Sequence, residues 1–488
     1  MTRLLSTRRV FVTILALGLF AMAARGVHDP DVWWHLRAGQ EIVTTHHVPR
    51  QDSFSYTRYG QPWVAHEWLA EVLFYLIFRA TGWTGLMLAF AGVISATFLL
   101  LYHQCGGKPY MAGLAVVLGA LATIPSWGVR PQILSLLLAA IFLGLLRQAE
   151  SGETRDLRRL WWMPALLVLW VNLHGAFLLG PALIALTLAG LLLGAWLGVE
   201  DWARARALAW RLGAVLVACV AVIPLNPNGL ELYRYPFQTL QARTIVDYIV
   251  EWASPNFHLV DFKPFLGLLL LTWAVVALSR KRLRPTQLVL LLATAYGGLS
   301  SARHIPIFAL VAVPILAAGL DELAERRQWF RAGEEKPVPA KLAFNLAIVV
   351  VMCGLTAARS YAAAKDRTAG DRQHFPVAAA DFMISEHLPA PIFNYYDWGG
   401  YFIARMYPQY RVFIDGRTDL YGKLMDTFSD TVHGHGNWRE ALERYEVRTV
   451  VVPPKTELAG LLRLDPAWKK EFEDKQAVVF VRQAGARP

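Results

Sequence analysis

Long apolar runs separated by short polar segments dominate the chain up to about residue 359. About eleven of these runs predict membrane helices, although several are shorter than the roughly 20 residues that a crossing needs. They cover residues 10–24, 84–103, 110–124, 131–146, 160–173, 176–197, 207–224, 264–279, 286–301, 305–320 and 342–358. The pattern predicts a mainly α, polytopic membrane helical bundle of about 11 transmembrane helices.

Basic residues alternate along the connections between these runs. They are dense near 147–159, 204–211, 280–284 and 326–341, and sparse in the intervening connections. Because basic loops stay on the cytoplasmic side, we expect a multi-pass inner (plasma) membrane protein with its N-terminus in the cytoplasm. An odd number of spans then places the C-terminal part outside.

Two further segments have the pattern of helices that lie in the membrane interface. Residues 67–79 are apolar enough to span, but counting them as a span would put every later basic cluster outside. We therefore expect amphipathic outer helices at 67–79 and at 33–46. Residues 1–24 resemble a signal peptide, but so many apolar runs follow that an uncleaved first helix is the better interpretation.

The chain has the composition of a soluble domain after about residue 359. Strand patterns occupy 391–396, 411–414, 447–452 and 477–482, and 399–406 predicts a short helix. The expected organisation is a membrane domain over 1–359, including an outer loop at 25–83, followed by a small extracytoplasmic α/β domain over 360–488.

Composition agrees with this architecture and excludes other classes. The chain is 55% hydrophobic and 17% charged, with a net charge of +11. The excess positive charge lies in the loops, which indicates orientation in the membrane and argues against a nucleic-acid partner. The three cysteines match no metal-ligand spacing and predict no disulfide framework.

A polar and aromatic segment, His28-Asp29-Pro30-Asp31-Val32-Trp33-Trp34-His35, follows the first apolar run. Charge beside a bilayer is costly and is usually kept for a function. One of its two carboxylates could act as a base, or the pair could hold a divalent cation. Alternatively, Asp31 could simply cap the following helix. His35 lies one helical turn after Asp31 on the same face.

The order of these features resembles the GT-C superfamily of membrane glycosyltransferases. Asp29-Pro30 followed by Val32-Trp33-Trp34 is similar to the Asp-Pro-aromatic motif of oligosaccharyltransferases. Gln61-Pro62-Trp63 leading into Glu67-Trp68-Leu69 resembles a segment of aminoarabinose transferases and protein O-mannosyltransferases. Two features depart from the pattern. Asp31 stands where oligosaccharyltransferases have an aromatic residue, and no second acidic pair is evident beyond Asp247 and Glu251.

This resemblance implies an inverting transferase that moves a sugar from a polyprenyl-phosphate donor to a glycan, lipid or protein acceptor on the outer face. Asp29 or Asp31 would activate the acceptor hydroxyl, with a divalent cation such as Mg²⁺ or Mn²⁺ as the candidate cofactor. Cations near the membrane surface would bind the donor phosphate, since the arginine fork suits phosphate. The candidates for that role are Arg303, His304 and Arg130.

The remaining polar residues of the outer segments are candidates for supporting or acceptor-binding roles. They are His35, His66, Glu67, Asn172, His174, Asn226, Asn228 and Glu251. Each also has a purely structural interpretation: surface polarity for the histidines, a turn for Asn226-Pro227-Asn228-Gly229, and snorkelling for the arginines. The alternative functions are a transporter or lipid flippase, and a non-catalytic membrane scaffold with an outer binding domain.

Overall fold

A computed structural model describes residues 6–152, 157–241, 250–328 and 339–483. The chain folds into two compact units. The first, here called the membrane unit, comprises Met1–Arg25, Met87–Leu230 and Ile249–Ala363. The second, here called the sheet unit, comprises Gly26–Leu86, Glu231–Tyr248 and Ala364–Pro488. The predicted outer loop and the C-terminal region thus fall in one unit, while the predicted domain boundary at 359/360 stays a prediction.

Eleven of the described helices coincide with the predicted apolar runs, and the others lie in the loops and the C-terminal region. In chain order they are α1 (Thr7–Ala23), α2 (Asp31–Thr45), α3 (Trp68–Cys105), α4 (Pro109–Thr123), α5 (Gln132–Ser151), α6 (Trp162–Leu173), α7 (Leu179–Trp196), α8 (Trp202–Ala221), α9 (Tyr235–Gln241), α10 (Lys263–Leu278), α11 (Pro285–Ser300), α12 (Ile305–Arg326), α13 (Pro339–His374), α14 (Val377–Ser385), α15 (Gly399–Met406), α16 (Thr418–Tyr421), α17 (Leu424–Val432), α18 (Trp438–Arg444) and α19 (Glu457–Leu464).

Eight helices of the described residues are long and apolar enough to cross a membrane. The protein is therefore an integral membrane protein, as predicted. Three other predicted spans are shorter helices: α1 has 17 residues, α6 has 12 and α11 has 16. The predicted total of about 11 spans stays a prediction, because these three are short for a straight crossing of roughly 20 residues.

Helix α3 is broken near its first third. Gly82 has φ 65° and ψ −162°, a conformation that favours glycine, and it separates Trp68–Thr81 from the apolar remainder. The break lies where the sequence predicts an interfacial helix to end and a span to begin. Helix α2 occupies the second predicted interfacial segment. Whether either helix lies in the membrane interface stays a prediction.

The sheet unit contains a four-stranded mixed sheet in the order β1-β2-β4-β3. The strands are β1 (Ile392–Asn394), β2 (Thr449–Val452), β3 (Trp468–Glu473) and β4 (Val478–Arg482). β1 and β2 are parallel, and the other pairs are antiparallel. Alternate residues of β2 enter different apolar clusters: Val451 packs in the cluster with α2 and α15, and Val450 in the cluster with α17 and α18.

One predicted strand is wrong. Residues 411–414 form only an isolated bridge between Val412 and Ser55. The side chain of Asn394 takes the place of a ladder there. Its amide accepts from the Phe413 N–H at 2.8 Å and donates to the Ile414 carbonyl at 2.8 Å. The backbone of this segment is therefore satisfied without strand pairing.

Candidate active site

The segment Asp29-Pro30-Asp31, here called the acidic motif, lies at the N-terminus of α2 in the sheet unit. Pro30 precedes the helix with φ −59°, the value that its ring imposes and that a helix start accepts. The Oδ1 atom of Asp29 accepts the Asp31 backbone N–H at 2.9 Å. Asp29 therefore satisfies the helix start, a role that the sequence suggests for Asp31. Both carboxylates are half-buried.

Asp31 is held by a tryptophan and by a glycine-containing loop. The indole N–H of Trp34 donates to Oδ1 of Asp31 at 3.0 Å. A Cβ on Gly416 would lie 1.7 Å from the same oxygen, so a side chain at this position would displace the Asp31 carboxylate. The segment Asp415-Gly416-Arg417 thus lies against the acidic motif.

A buried ion network holds this loop. The guanidinium of Arg417 contacts Asp52 Oδ1 at 2.7 Å and Asp415 through two hydrogen bonds at 2.7 and 2.8 Å. All three side chains are at most 1% exposed. Burial lowers the pKa of Arg417, but the Asp415 and Asp52 carboxylates outweigh it and raise that pKa well above its ordinary value. The hydroxyl of Tyr421 also donates to Asp415.

Three predicted site residues, His35, His66 and Glu67, form a second polar group in the sheet unit. His35 Nε2 lies 3.9 Å from Glu67, and its Nδ1 lies 3.7 Å from Glu71. His66 Nε2 contacts the other oxygen of Glu67 at 3.2 Å. Burial lowers the pKa of His66, but the Glu67 carboxylate raises it further, so the net shift is upward. Glu71, a buried member of this group, was not predicted from the sequence.

The predicted cations belong to the membrane unit, where Arg303 and His174 meet. Nη2 of Arg303 lies 3.4 Å from Nε2 of His174. The guanidinium also stacks over Trp252, 5.2 Å from the ring centroid. On the other side of the imidazole, Nδ1 of His174 lies 2.8 Å from the Ser135 hydroxyl, which in turn accepts the Trp170 indole N–H at 2.7 Å.

The other two predicted cations, Arg130 and His304, have different partners from Arg303 and His174. Arg130 forms an ion pair with Glu251. The backbone carbonyl of Glu251 accepts the Ser301 hydroxyl at 3.1 Å, which ties this segment to the turn before Arg303. The ring of His304 lies edge-on to Trp252, with centroids 6.2 Å apart. Asp247, the other acid of this loop, lies outside the described residues.

The three predicted asparagines make hydrogen bonds that support the backbone, two of them local and one between segments 55 residues apart. Asn172 donates to the Val168 carbonyl one turn earlier at 2.8 Å. Asn226 donates to the Val171 carbonyl at 2.9 Å and accepts from the Asn228 N–H at 2.9 Å. Asn226 and Asn228 therefore build the turn that the sequence suggests.

The acidic motif offers few ligands for a cation. Asp29 and Asp31 each use one oxygen in a hydrogen bond within the motif. In the described residues there is no group of three His, Cys, Asp or Glu side chains that could hold a metal ion. Mg²⁺ on such a pair would need most of its ligands from a phosphate and water.

Comparisons with known proteins give a result at the level of the fold. No protein-family model matches the sequence. No curated protein matches it either. Among solved structures, ArnT from Cupriavidus metallidurans bound to undecaprenyl phosphate matches with a TM-score of 0.52 and 16% identity, over 98% of this chain and 99% of that chain.

The oligosaccharyltransferase of Archaeoglobus fulgidus matches in two states. The apo form has a TM-score of 0.56 and 14% identity, over 91% of this chain and 69% of that chain. The form tethered to an acceptor peptide with an NVT sequon has a TM-score of 0.58 and 14% identity, over 92% and 70%. The chain has the fold of these two proteins, which confirms the fold that the motif resemblance implied.

Proposed function

We propose that the protein is an inverting membrane glycosyltransferase that moves a sugar from a polyprenyl-phosphate donor to an acceptor hydroxyl. The fold match to ArnT, over nearly the whole of both chains, is the observation that carries this proposal. That neighbour was solved with undecaprenyl phosphate bound. Because one fold hosts many activities, the assignment also needs suitable chemical groups. Each unit supplies some of them: the Asp29–Asp31 pair in the sheet unit, and Arg303 with His174 in the membrane unit.

Asp31 is the proposed general base. Asp29 accepts the backbone N–H at the start of α2, which is a structural role, whereas Asp31 is held by the side chain of Trp34. The acceptor hydroxyl would give its proton to Asp31 while its oxygen attacks the anomeric carbon. The bond from that carbon to the phosphate oxygen breaks, and polyprenyl phosphate leaves with the electron pair. His35, His66 and Glu67 would line the acceptor side.

Arg303 and His174 are the proposed phosphate-binding pair. Nδ1 of His174 accepts the Ala176 backbone N–H at 3.3 Å, so neutral His174 carries its proton on Nε2. The Nε2–H group of His174 and the Arg303 guanidinium, with nitrogens 3.4 Å apart, are then two neighbouring donors. A phosphate oxygen accepting from both would suit this arrangement. Arg130 and His304 would support the same cation group, with Arg130 acting through Glu251.

The proposed orientation follows the charge pattern: the N-terminus in the cytoplasm, and the acidic motif with the C-terminal domain outside. The proposed acceptor is a glycan, lipid or protein at the outer face. The proton transfer and phosphate contacts proposed here use groups of the chain itself. Assays with EDTA, and with Mg²⁺ or Mn²⁺ added back, test whether a cation is also required.

A transfer assay tests the acidic residue. Purified protein in nanodiscs is incubated with radiolabelled undecaprenyl-phosphate sugars and membrane extract as acceptor. Asp31→Asn should reduce turnover by roughly 10²–10⁴-fold, because a general base contributes about that much. Asp430→Asn, an exposed acid of α17 in the same unit, is the matched control and should be neutral. Sugar translocation without covalent transfer in the wild type would instead indicate a transporter.

The same assay tests the cation pair through the donor. Arg303→Ala should raise the KM for the donor, and Arg303→Lys should restore only part of the affinity because lysine lacks the bidentate fork. Arg282→Ala, in an exposed basic loop, should leave the KM unchanged. Equal donor affinity in wild type and Arg303→Ala would refute the phosphate role.

A further inference from the structure

We propose that Trp34 is a positioning residue for the reaction, and that Gly400 and Gly416 are required because they leave room for the Asp31–Trp34 pair. This inference rests on the proposed function, since it matters for catalysis only if Asp31 is the base. The sequence marks Trp34 only as one of several aromatic residues. Unlike a purely apolar core residue, it has an indole N–H that can donate a hydrogen bond.

The Trp34 indole is held by a hydrogen bond from its N–H group and by a ring packed against it. Its N–H lies 3.0 Å from Asp31 Oδ1, and the residue is only 8% exposed. The His35 ring packs against it, with centroids 3.7 Å apart. His35 in turn has one carboxylate near each ring nitrogen, from Glu67 and Glu71. The indole therefore cannot swing away from Asp31 without disturbing this buried group.

Two glycines border the pair on the opposite side. A Cβ on Gly416 would lie 1.7 Å from Asp31 Oδ1 and 3.2 Å from the Trp34 indole nitrogen. A Cβ on Gly400 would lie 3.2 Å from Cδ1 of Trp34 and 2.5 Å from the Pro30 carbonyl. Neither glycine has a φ in the left-handed region. A side chain at Gly400 would therefore meet the Pro30 backbone, whereas one at Gly416 would meet the Asp31 carboxylate and displace it; backbone strain plays no part at either position.

This arrangement fixes the carboxylate of the proposed base through its Oδ1 atom. A hydrogen bond from a neutral donor stabilises the ionised carboxylate. The titratable groups near Asp31 include Asp29 before it and Tyr396 from the segment after β1. Asp415 and Arg417 flank Gly416, and His35 packs on the indole. Removing only the indole N–H should therefore change both the orientation of the Asp31 carboxylate and the pH at which it becomes protonated.

Trp34→Phe tests the proposal, because it keeps an aromatic ring and removes the donor. We expect kcat to fall about tenfold and the acid limb of the pH–rate profile to move up by roughly one pH unit, the effect of one hydrogen bond to a charged group. Trp33→Phe is the matched control: its ring packs on Trp83 and Tyr401. That variant should keep the wild-type pH profile.

Gly416→Ala tests the same contact without touching the indole. The new methyl group would displace the Asp31 carboxylate, so kcat should fall at unchanged thermal stability. Gly460→Ala in α19, where a Cβ meets nothing within 4 Å, is its control and should keep full activity. If Trp34→Phe fails to fold, Gly416→Ala decides the question by itself.

The outcomes separate this inference from the proposed function. If Asp31→Asn retains full activity, the base assignment fails and the positioning role fails with it. Asp31→Asn can be inactive while the other two variants behave like their controls. If Trp34→Phe then has the pH profile of Trp33→Phe, and Gly416→Ala has the kcat of Gly460→Ala, only the positioning role is refuted. A shifted acid limb in Trp34→Phe together with a low kcat in Gly416→Ala supports both.

Discussion

Replacing Arg417 with alanine should destabilise the sheet unit strongly. Its guanidinium makes three contacts of 2.7 to 2.8 Å with Asp52 and Asp415, and all three side chains are at most 1% exposed. Alanine would leave two carboxylates buried without their counter-charge. Breaking a buried ion pair from one side costs about 3–5 kcal/mol. Loss of the guanidinium over the Trp63 and Phe54 rings adds to this cost.

An exposed ion pair in the same unit provides the control. Arg405 contacts Asp381 at 2.8 Å, almost the same distance, but both side chains are about half exposed, at 52% and 51%. Such surface pairs contribute roughly 0–1 kcal/mol, because water screens the charges and competes for the same hydrogen bonds. Arg405→Ala should therefore change the free energy of unfolding little. The contrast tests burial, since charge type and distance are matched.

The measurement is the stability of the full-length protein in detergent, by denaturant titration and by hydrogen exchange of β1 and β2. Arg417→Ala should lower the midpoint well below that of Arg405→Ala and raise exchange in both strands. Asn replacement of Asp52 in the Arg417→Ala background should recover part of the loss, because it removes one uncompensated buried charge. Equal midpoints for the two arginine variants would refute the reasoning.

Two further predictions concern pH and topology. Because the pKa of His66 is raised above its ordinary value of 6.5, its pairing with Glu67 stabilises the fold fully below that pH and is lost as pH rises through the raised pKa. The wild-type Tm should therefore decline across this window, and His66→Gln should flatten the decline; an unchanged slope would contradict the pairing. In a cysteine-free background, an impermeant maleimide applied to intact cells should label His435→Cys but not Arg282→Cys. Labelling of the second variant alone would reverse the proposed orientation.

The helical part of the fold could be predicted from the sequence because burial in lipid requires long apolar runs. Eight of the predicted spans coincide with helices long enough to cross a membrane. The number of spans is harder to predict, because α6, with 12 residues, is too short to identify as a straight span by length. Strand β3 was missed, since its Trp-Lys-Lys-Glu-Phe-Glu pattern is that of an edge strand rich in charge.

The candidate site could be predicted only where its residues are close together in the sequence. Asp29 and Asp31 are two residues apart, and both lie at the helix start that Pro30 signals. The meeting of Arg303 with His174, by contrast, depends on how separate helices pack. No sequence pattern predicts which of several outer cations shares a space with a particular imidazole. Arg130, for example, also lies shortly before a proline in the sequence, as Arg303 does, but it pairs with Glu251.

The Asp415-Gly416-Arg417 motif shows why a turn pattern can conceal a functional contact. Aspartate and glycine are ordinary turn residues, so the sequence alone favours a turn. In the fold, Arg417 anchors the loop through buried carboxylates, and the glycine between them brings its backbone against Asp31. The same three residues therefore stabilise the sheet unit and border the proposed base. If that is correct, Arg417→Ala should move the acid limb of the pH–rate profile in the fraction that remains folded. A variant that lost stability but kept the wild-type limb would separate the two roles.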